Sequence, residues 1–120
     1  MTTGSSVTFR ARIYVAGPYS KGNMVRNIGR AIEAANELLD RGYAPFVPHT
    51  HSAPLDMVKE REPAVWYALD NEFLRECEAL LRIPGESTGS DAEEALARSL
   101  RIPVFHSIDE LDAYFRGLGR

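Results

Sequence analysis

The densest group of residues able to do chemistry is Ile83-Pro84-Gly85-Glu86-Ser87-Thr88-Gly89-Ser90-Asp91-Ala92-Glu93-Glu94. An apolar run, Ala79 to Ile83, stops at Pro84-Gly85. Small, polar and acidic residues then lead into the helix formers Ala92 to Ala97. This reads as strand, tight loop, helix, and in a parallel α/β sheet such a loop lies at the carboxyl edge, where ligands bind. Its amides and the first helical turn favour an anion, and Glu93 adds a carboxylate at the same place. A carboxylate beside a phosphate-friendly cradle suggests chemistry on a sugar next to a phosphate. Glu93 has a second reading, because Ser90-x-x-Glu93 fits the capping box, in which the glutamate only reaches back to a backbone amide. Local pattern leaves both open.

Three smaller groups accompany it. In Trp66-x-x-x-Asp70 the two residues share a helix face, and Asp70 sits between Leu69 and Phe73. It is either a solvated helix carboxylate or a partly buried acid with a raised pKa, suited to proton transfer. Gly17-Pro18-Tyr19 is either a plain strand stop or a place where Gly17 lets a ligand approach the backbone and Tyr19 or Asn23 touches it. His49-x-His51 lacks a third ligand at metal-site spacing, so no metal is expected, and His49 reads as a turn histidine or one that hydrogen-bonds a ligand. The chain has no GxGxxG, so NAD is not indicated, and no cofactor is expected.

The elements that must position these groups follow from periodicity. Residues 1–9 read as a flexible tail and residues 10–120 as one α/β domain. Arg12 to Ala16 is a buried strand. A stripe of Met24, Val25, Ile28, Ile32, Ala35, Leu38 and Leu39 predicts an amphipathic helix closed by Arg41-Gly42. Tyr43 to Val47 is a second strand, placed at the sheet edge by Pro45, and Pro48 to Glu62 reads as a long loop. Pro63 opens a helix through Cys77, Ala79 to Ile83 is the third strand, and a helix runs from about Ser90 to Leu100. Arg101 to Phe105 is the fourth strand, and the capping box Ser107 to Glu110 opens a last helix to about Phe115. The βα alternation implies a Rossmann-like or flavodoxin-like domain. Its parallel sheet has about four or five strands in order 2-1-3-4, with helices on both faces. The loops after Ala16, Val47 and Ile83 then open onto one crevice, bringing Tyr19, Asn23, His49, Ser87, Gly89 and Glu93 together.

Composition narrows the classes. A chain of 120 residues, 44% hydrophobic, suits one core. A net charge of −3 carries no footprint for a nucleic-acid polymer. The single cysteine, Cys77, fits a reducing compartment, and no signal-peptide pattern or apolar run of about 18 residues occurs. The expectation is a cytoplasmic protein with no membrane partner.

Taken in order, Ile13-Tyr14-Val15-Ala16-Gly17-Pro18, the amphipathic helix, Trp66-x-x-x-Asp70, Ser87-x-Gly89-x-x-x-Glu93 and Ile102-Pro103-Val104 resemble the nucleoside 2-deoxyribosyltransferase superfamily. The similarity is closest to its small bacterial and phage-type members and to the nucleoside 5′-monophosphate N-glycosidases. It covers about Arg12 to Phe105. The resemblance implies cleavage or transfer of the N-glycosidic bond of a nucleoside or nucleoside 5′-monophosphate. Glu93 would be the nucleophile at C1′, and Asp70 the carboxylate that helps protonate the leaving base or orients the nucleophile. Tyr14 would be a tyrosine near the nucleophile, with Tyr19 the better candidate if Tyr14 points into the core, and Ser87 and Gly89 would be the loop that holds the sugar's 5′ end. It also implies a homodimer or homotetramer. Two alternatives stand beside it: a non-catalytic nucleotide-sensing module on the same fold, and a phosphoribohydrolase whose loop is one residue shorter than Pro84 to Glu93. Glu86 and Asp91 would repel a phosphate dianion unless they face away or pair with Arg26, Arg30 or Arg82.

Overall fold

Strand β1 (Arg12–Ala16) alternates its side chains between two helical layers, and this alternation organises the molecule. In the computed structural model, which describes residues 6–120, Ile13 and Val15 enter one core with Ala31, Leu38, Leu111 and Phe115. Tyr14 and Ala16 enter a second core with Leu74, Leu80 and Ala97. The first five residues of the expected tail lie outside the described residues; residues 6–9 are exposed and without regular secondary structure.

Helix α1 (Met24–Asp40) is capped by Asn23, whose side chain accepts from the Arg26 amide at 3.0 Å. It ends in a Schellman motif: Gly42 at φ +91 lets its amide reach Leu39 O at 3.0 Å and the Tyr43 amide reach Leu38 O at 2.9 Å. Strand β2 (Ala44–Phe46) follows, then a 3-10 turn at Pro48–Thr50, α2 (Ser52–Val58) and α3 (Pro63–Leu74). The expected long loop between Pro48 and Glu62 therefore contains a helix. α2 is short and leaves Leu55, Met57 and Val58 exposed, so no core-facing period marks it in the sequence.

Strand β3 (Ala79–Arg82) leads to α4 (Thr88–Ser99), β4 (Val104–Phe105) and α5 (Ile108–Gly117). All strand pairs are parallel, in order β2-β1-β3-β4, as expected. Pro45 is on the edge strand β2, where its missing amide costs no ladder bond. Helices α1 and α5 cover one face, and α3 and α4 the other. Among the described residues no helix is long and apolar enough to cross a membrane.

The chain leaves β1 towards β2 on one side, while β3 lies on the other. The carboxyl ends of β1 and β3 therefore flank a switch point, the position at which open α/β sheets form a crevice.

Candidate active site

A cavity of about 950 Å³ opens at that switch point. Its floor is the end of β1, one wall is the β3–α4 loop, and the other is built from the 3-10 turn, α2 and α3. Of the residues that the strand order places at this crevice, Tyr19, His49, Ser87, Gly89 and Glu93 line it, and Gly17 and Asp70 line it as well. Asn23 does not. Its side chain is spent on capping α1, and the β1–α1 loop is held instead by Asn27, which donates to Tyr19 O at 2.9 Å and Lys21 O at 2.8 Å.

The competing readings of Glu93 separate in the structure. The N-cap of α4 is Ser87, whose hydroxyl accepts from the Ser90 amide at 3.0 Å. Ser90 is thus inside the first turn and Glu93 in the second, too far along for a capping box. Its carboxylate accepts a hydrogen bond from the Tyr14 hydroxyl across 79 residues of sequence. Strand alternation points Tyr14 at the α4 face, where it is fully buried. Glu93 is 8% exposed and Asp70 5%.

Burial raises the Glu93 carboxyl to about 7. The Tyr14 hydrogen bond opposes this, Asp70 adds to it by repulsion, and Arg82 pulls the other way. Tyr14 is raised by burial and then by the Glu93 charge, so it remains a proton donor. Asp70 is raised by burial, offset in part by the Ser52 hydroxyl and by His51. Ser52 Oγ donates to Asp70 Oδ2 at 2.9 Å, while Asp70 Oδ1 is buried with no hydrogen-bond partner. His49 Nε2 lies 2.8 Å from Pro18 O. A carbonyl only accepts, so Nε2 carries the proton and the buried, unpartnered Nδ1 is a bare acceptor. Burial lowers the His49 pKa, which keeps the ring neutral.

His51 diverges from His49 and packs edge-on against Phe46 and Phe73, with centroids 5.1 and 4.9 Å away. Among the described residues no three His, Cys, Asp or Glu side chains are grouped to hold a metal ion.

The acidic loop is neutralised from within the chain. Arg82, 8% exposed at the end of β3, pairs with Asp91 at 2.8 Å and donates to Gly85 O at 2.9 Å. Glu86 pairs at 3.0 Å with Lys21, not with an arginine. Arg26 and Arg30 take no part. Two glycines have packing reasons as well as ligand-facing ones: a Cβ on Gly17 would stand 2.9 Å from Ile83 Cβ, and one on Gly89 2.9 Å from Tyr67 Cε1. Ser52 and Tyr67 escaped the sequence reading because each meets its partner from another element; Asn27 escaped it although Tyr19 and Lys21 are only eight and six residues away, because no local pattern marks an asparagine that braces a loop.

The solved structure of a 2-deoxyribosyltransferase from the psychrotolerant bacterium Bacillus psychrosaccharolyticus has the same fold. It aligns at a TM-score of 0.56 and 20% identity, over 82% of this chain and 76% of that one. No curated protein matches the chain. Residues 11–107 match a domain of unknown function, DUF7768, and the chain belongs to that family.

Proposed function

We propose that the chain cleaves or transfers the N-glycosidic bond of a nucleoside or nucleoside 5′-monophosphate, with residues 10–120 as the catalytic domain. The observation that carries this reading is the pair of buried carboxylates that line the cavity from α3 and α4, one of them, Glu93, held by a tyrosine hydroxyl. Two carboxyls with separate partners, one on a phenol and one on a serine hydroxyl, suit the two roles that glycosyl chemistry requires.

Tyr14 occupies Glu93 Oε2, leaving Oε1 to attack C1′. As the C1′–O bond forms, the C1′–N bond breaks, and the base departs with a proton from Asp70. The product is a glycosyl ester on Glu93. Water attacking C1′ releases the sugar, and the nitrogen of a second base gives a new nucleoside; either restores the Glu93 carboxylate and returns a proton to Asp70. His49, on the same wall as Asp70, and Tyr19, whose ring meets His49 edge-on from the β1–α1 loop, would bound the base, while the loop of Ser87 and Gly89 would take the 5′ end. Pairing of Asp91 with Arg82 and of Glu86 with Lys21 lowers the repulsion that a 5′-phosphate would meet there.

The test is base release, followed by chromatography, from ribo- and deoxyribonucleosides and their 5′-monophosphates, with and without a second free base. Wild type should release base, and Glu93→Ala should lose that activity while still binding substrate. Silence of the wild type across the panel, with thermal-shift binding retained, would sink the glycosyl reading and leave a nucleotide sensor.

A further inference from the structure

A serine at the start of a helix ordinarily spends its hydroxyl on a backbone amide of the first turn. Ser87 and Ser107 do so, accepting from the Ser90 and Glu110 amides. Ser52, the first residue of α2, does not. The N-cap there is His51, with no side-chain hydrogen bond, and the Ser52 hydroxyl reaches across to α3. It lies 2.9 Å from Asp70 Oδ2 and 3.4 Å from Pro48 O. A hydroxyl has one proton to give. Of the two acceptors the carboxyl is the nearer and, when ionised, much the stronger, so Ser52 donates to Asp70.

Both groups are buried, Ser52 at 6% exposure and Asp70 at 5%. A carboxyl turns about a broad, roughly two-fold torsion, so the rotamer alone fixes its plane only loosely. Among the described residues Ser52 is the one hydrogen-bond partner of the Asp70 carboxyl. The orientation of this acid therefore falls to Ser52. With Oδ2 accepting from the hydroxyl, the acid proton is left to Oδ1, which has no other partner. The same hydrogen bond favours the ionised carboxylate, which eases the departure of that proton.

We propose that Ser52 is a positioning residue for proton transfer: its hydroxyl fixes the Asp70 carboxyl so that the other oxygen gives its proton to the departing base. The inference rests on the glycosyl reading. In that step the C1′–N bond breaks with its electron pair going to the base, and the Asp70 proton passes to the base. The carboxylate left behind keeps the Ser52 hydrogen bond, so the site has no reorganisation to undergo as charge develops on Asp70. Ser52 acts through Asp70, not on the sugar.

The test compares two leaving groups on the same sugar. A nucleoside base needs a proton as it departs, whereas nitrophenolate leaves a nitrophenyl glycoside without one. Ser52→Ala should lower kcat for nucleoside cleavage by about ten- to a hundredfold, a part of what a positioned general acid contributes. KM should change by less than about threefold, and the loss on the nitrophenyl glycoside should also stay below about threefold. Ser52→Thr and Ser52→Val add the same bulk, and only threonine keeps the hydroxyl. Threonine should retain most of the nucleoside rate, and valine should lose it as alanine does. Equal losses on the two leaving groups, a rise in KM alone, or threonine no better than valine would each overturn the positioning role and leave the glycosyl reading standing. A wild type that releases neither base nor nitrophenolate would remove that reading, and this inference with it.

Discussion

Replacing Glu93 by glutamine should make the protein more stable, and by an amount that depends on pH. Glu93 is 8% exposed, and burial lifts its carboxyl from an ordinary 4.5 to about 7. A pKa raised on folding means that the native state holds a proton which the unfolded chain releases. Stability is therefore lost as pH rises from the unfolded value through the folded one. At about 1.4 kcal/mol per pH unit, the ionised Glu93 costs the folded state about 3 kcal/mol at pH near 8. At pH near 5 the cost falls below about 1 kcal/mol, because Glu93 is protonated in the native state. Glutamine keeps the shape and an acceptor for the Tyr14 hydroxyl but carries no charge. Urea unfolding of the two chains at these pH values reads the difference directly, with unchanged m-values confirming that the same surface unfolds. The glutamine chain should lead by about 2–3 kcal/mol near pH 8, a large fraction of a typical domain's stability, and by less than about 1 kcal/mol near pH 5. Asp70 is present in both chains, so its own titration largely cancels. A lead that does not change with pH, or a glutamine chain less stable near pH 8, would refute the account of Glu93 as a charge held against its solvation.

Removing the Tyr14 hydroxyl with Tyr14→Phe takes away the hydrogen bond that lowers the Glu93 pKa. The acid limb of the kcat/KM profile, expected near pH 7 in the wild type, should then move to higher pH, with about a tenfold loss of rate for each pH unit of displacement. A limb that stays in place would mean that Tyr14 does not tune Glu93. Gly89→Ala would put a Cβ 2.9 Å from Tyr67 Cε1, but that ring is 43% exposed and free to swing aside, and alanine suits a helix better than glycine, so thermal unfolding should change by less than about 1 kcal/mol; a loss above about 2 kcal/mol would show that the Tyr67 ring is fixed in place. Arg101 sits at φ 61 just after α4, where its amide reaches Arg98 O at 3.1 Å and that of Ile102 reaches Ala97 O at 2.8 Å. Glycine takes this left-handed position without a Cβ penalty, so Arg101→Gly should stabilise the protein by about 0.5–1 kcal/mol in chemical denaturation; a loss of stability would show that the side chain matters more than the backbone.

What the amino-acid sequence determined by itself is what short-range physics governs. The largely apolar runs at Arg12 to Ala16 and Ala79 to Ile83 read as buried strands because they are short and each stops at a glycine–proline pair, Gly17-Pro18 and Pro84-Gly85. Gly42 ended α1 because a left-handed residue was needed there, and Ser107 opened α5 by accepting from the Glu110 amide at 3.1 Å. Pro45 forced its strand to the edge. The crevice followed from the order of strands and helices alone, since parallel crossovers leave few topologies to choose from. The identity of the α4 cap did not follow, because Ser87-x-x-Ser90 and Ser90-x-x-Glu93 are both legal starts to a helix. Only the tertiary structure decided between them, by placing the Tyr14 hydroxyl on the Glu93 carboxylate from a strand 79 residues away. The same is true of Ser52 on Asp70 and of Arg82 on Asp91, and Asn23 was lost to a cap for the converse reason, a local bond taking its side chain. Helix starts, turns and strand faces are set within a few residues along the chain. The ionisation and orientation of a buried carboxylate depend on which groups the fold brings against it, and those groups are distant in sequence.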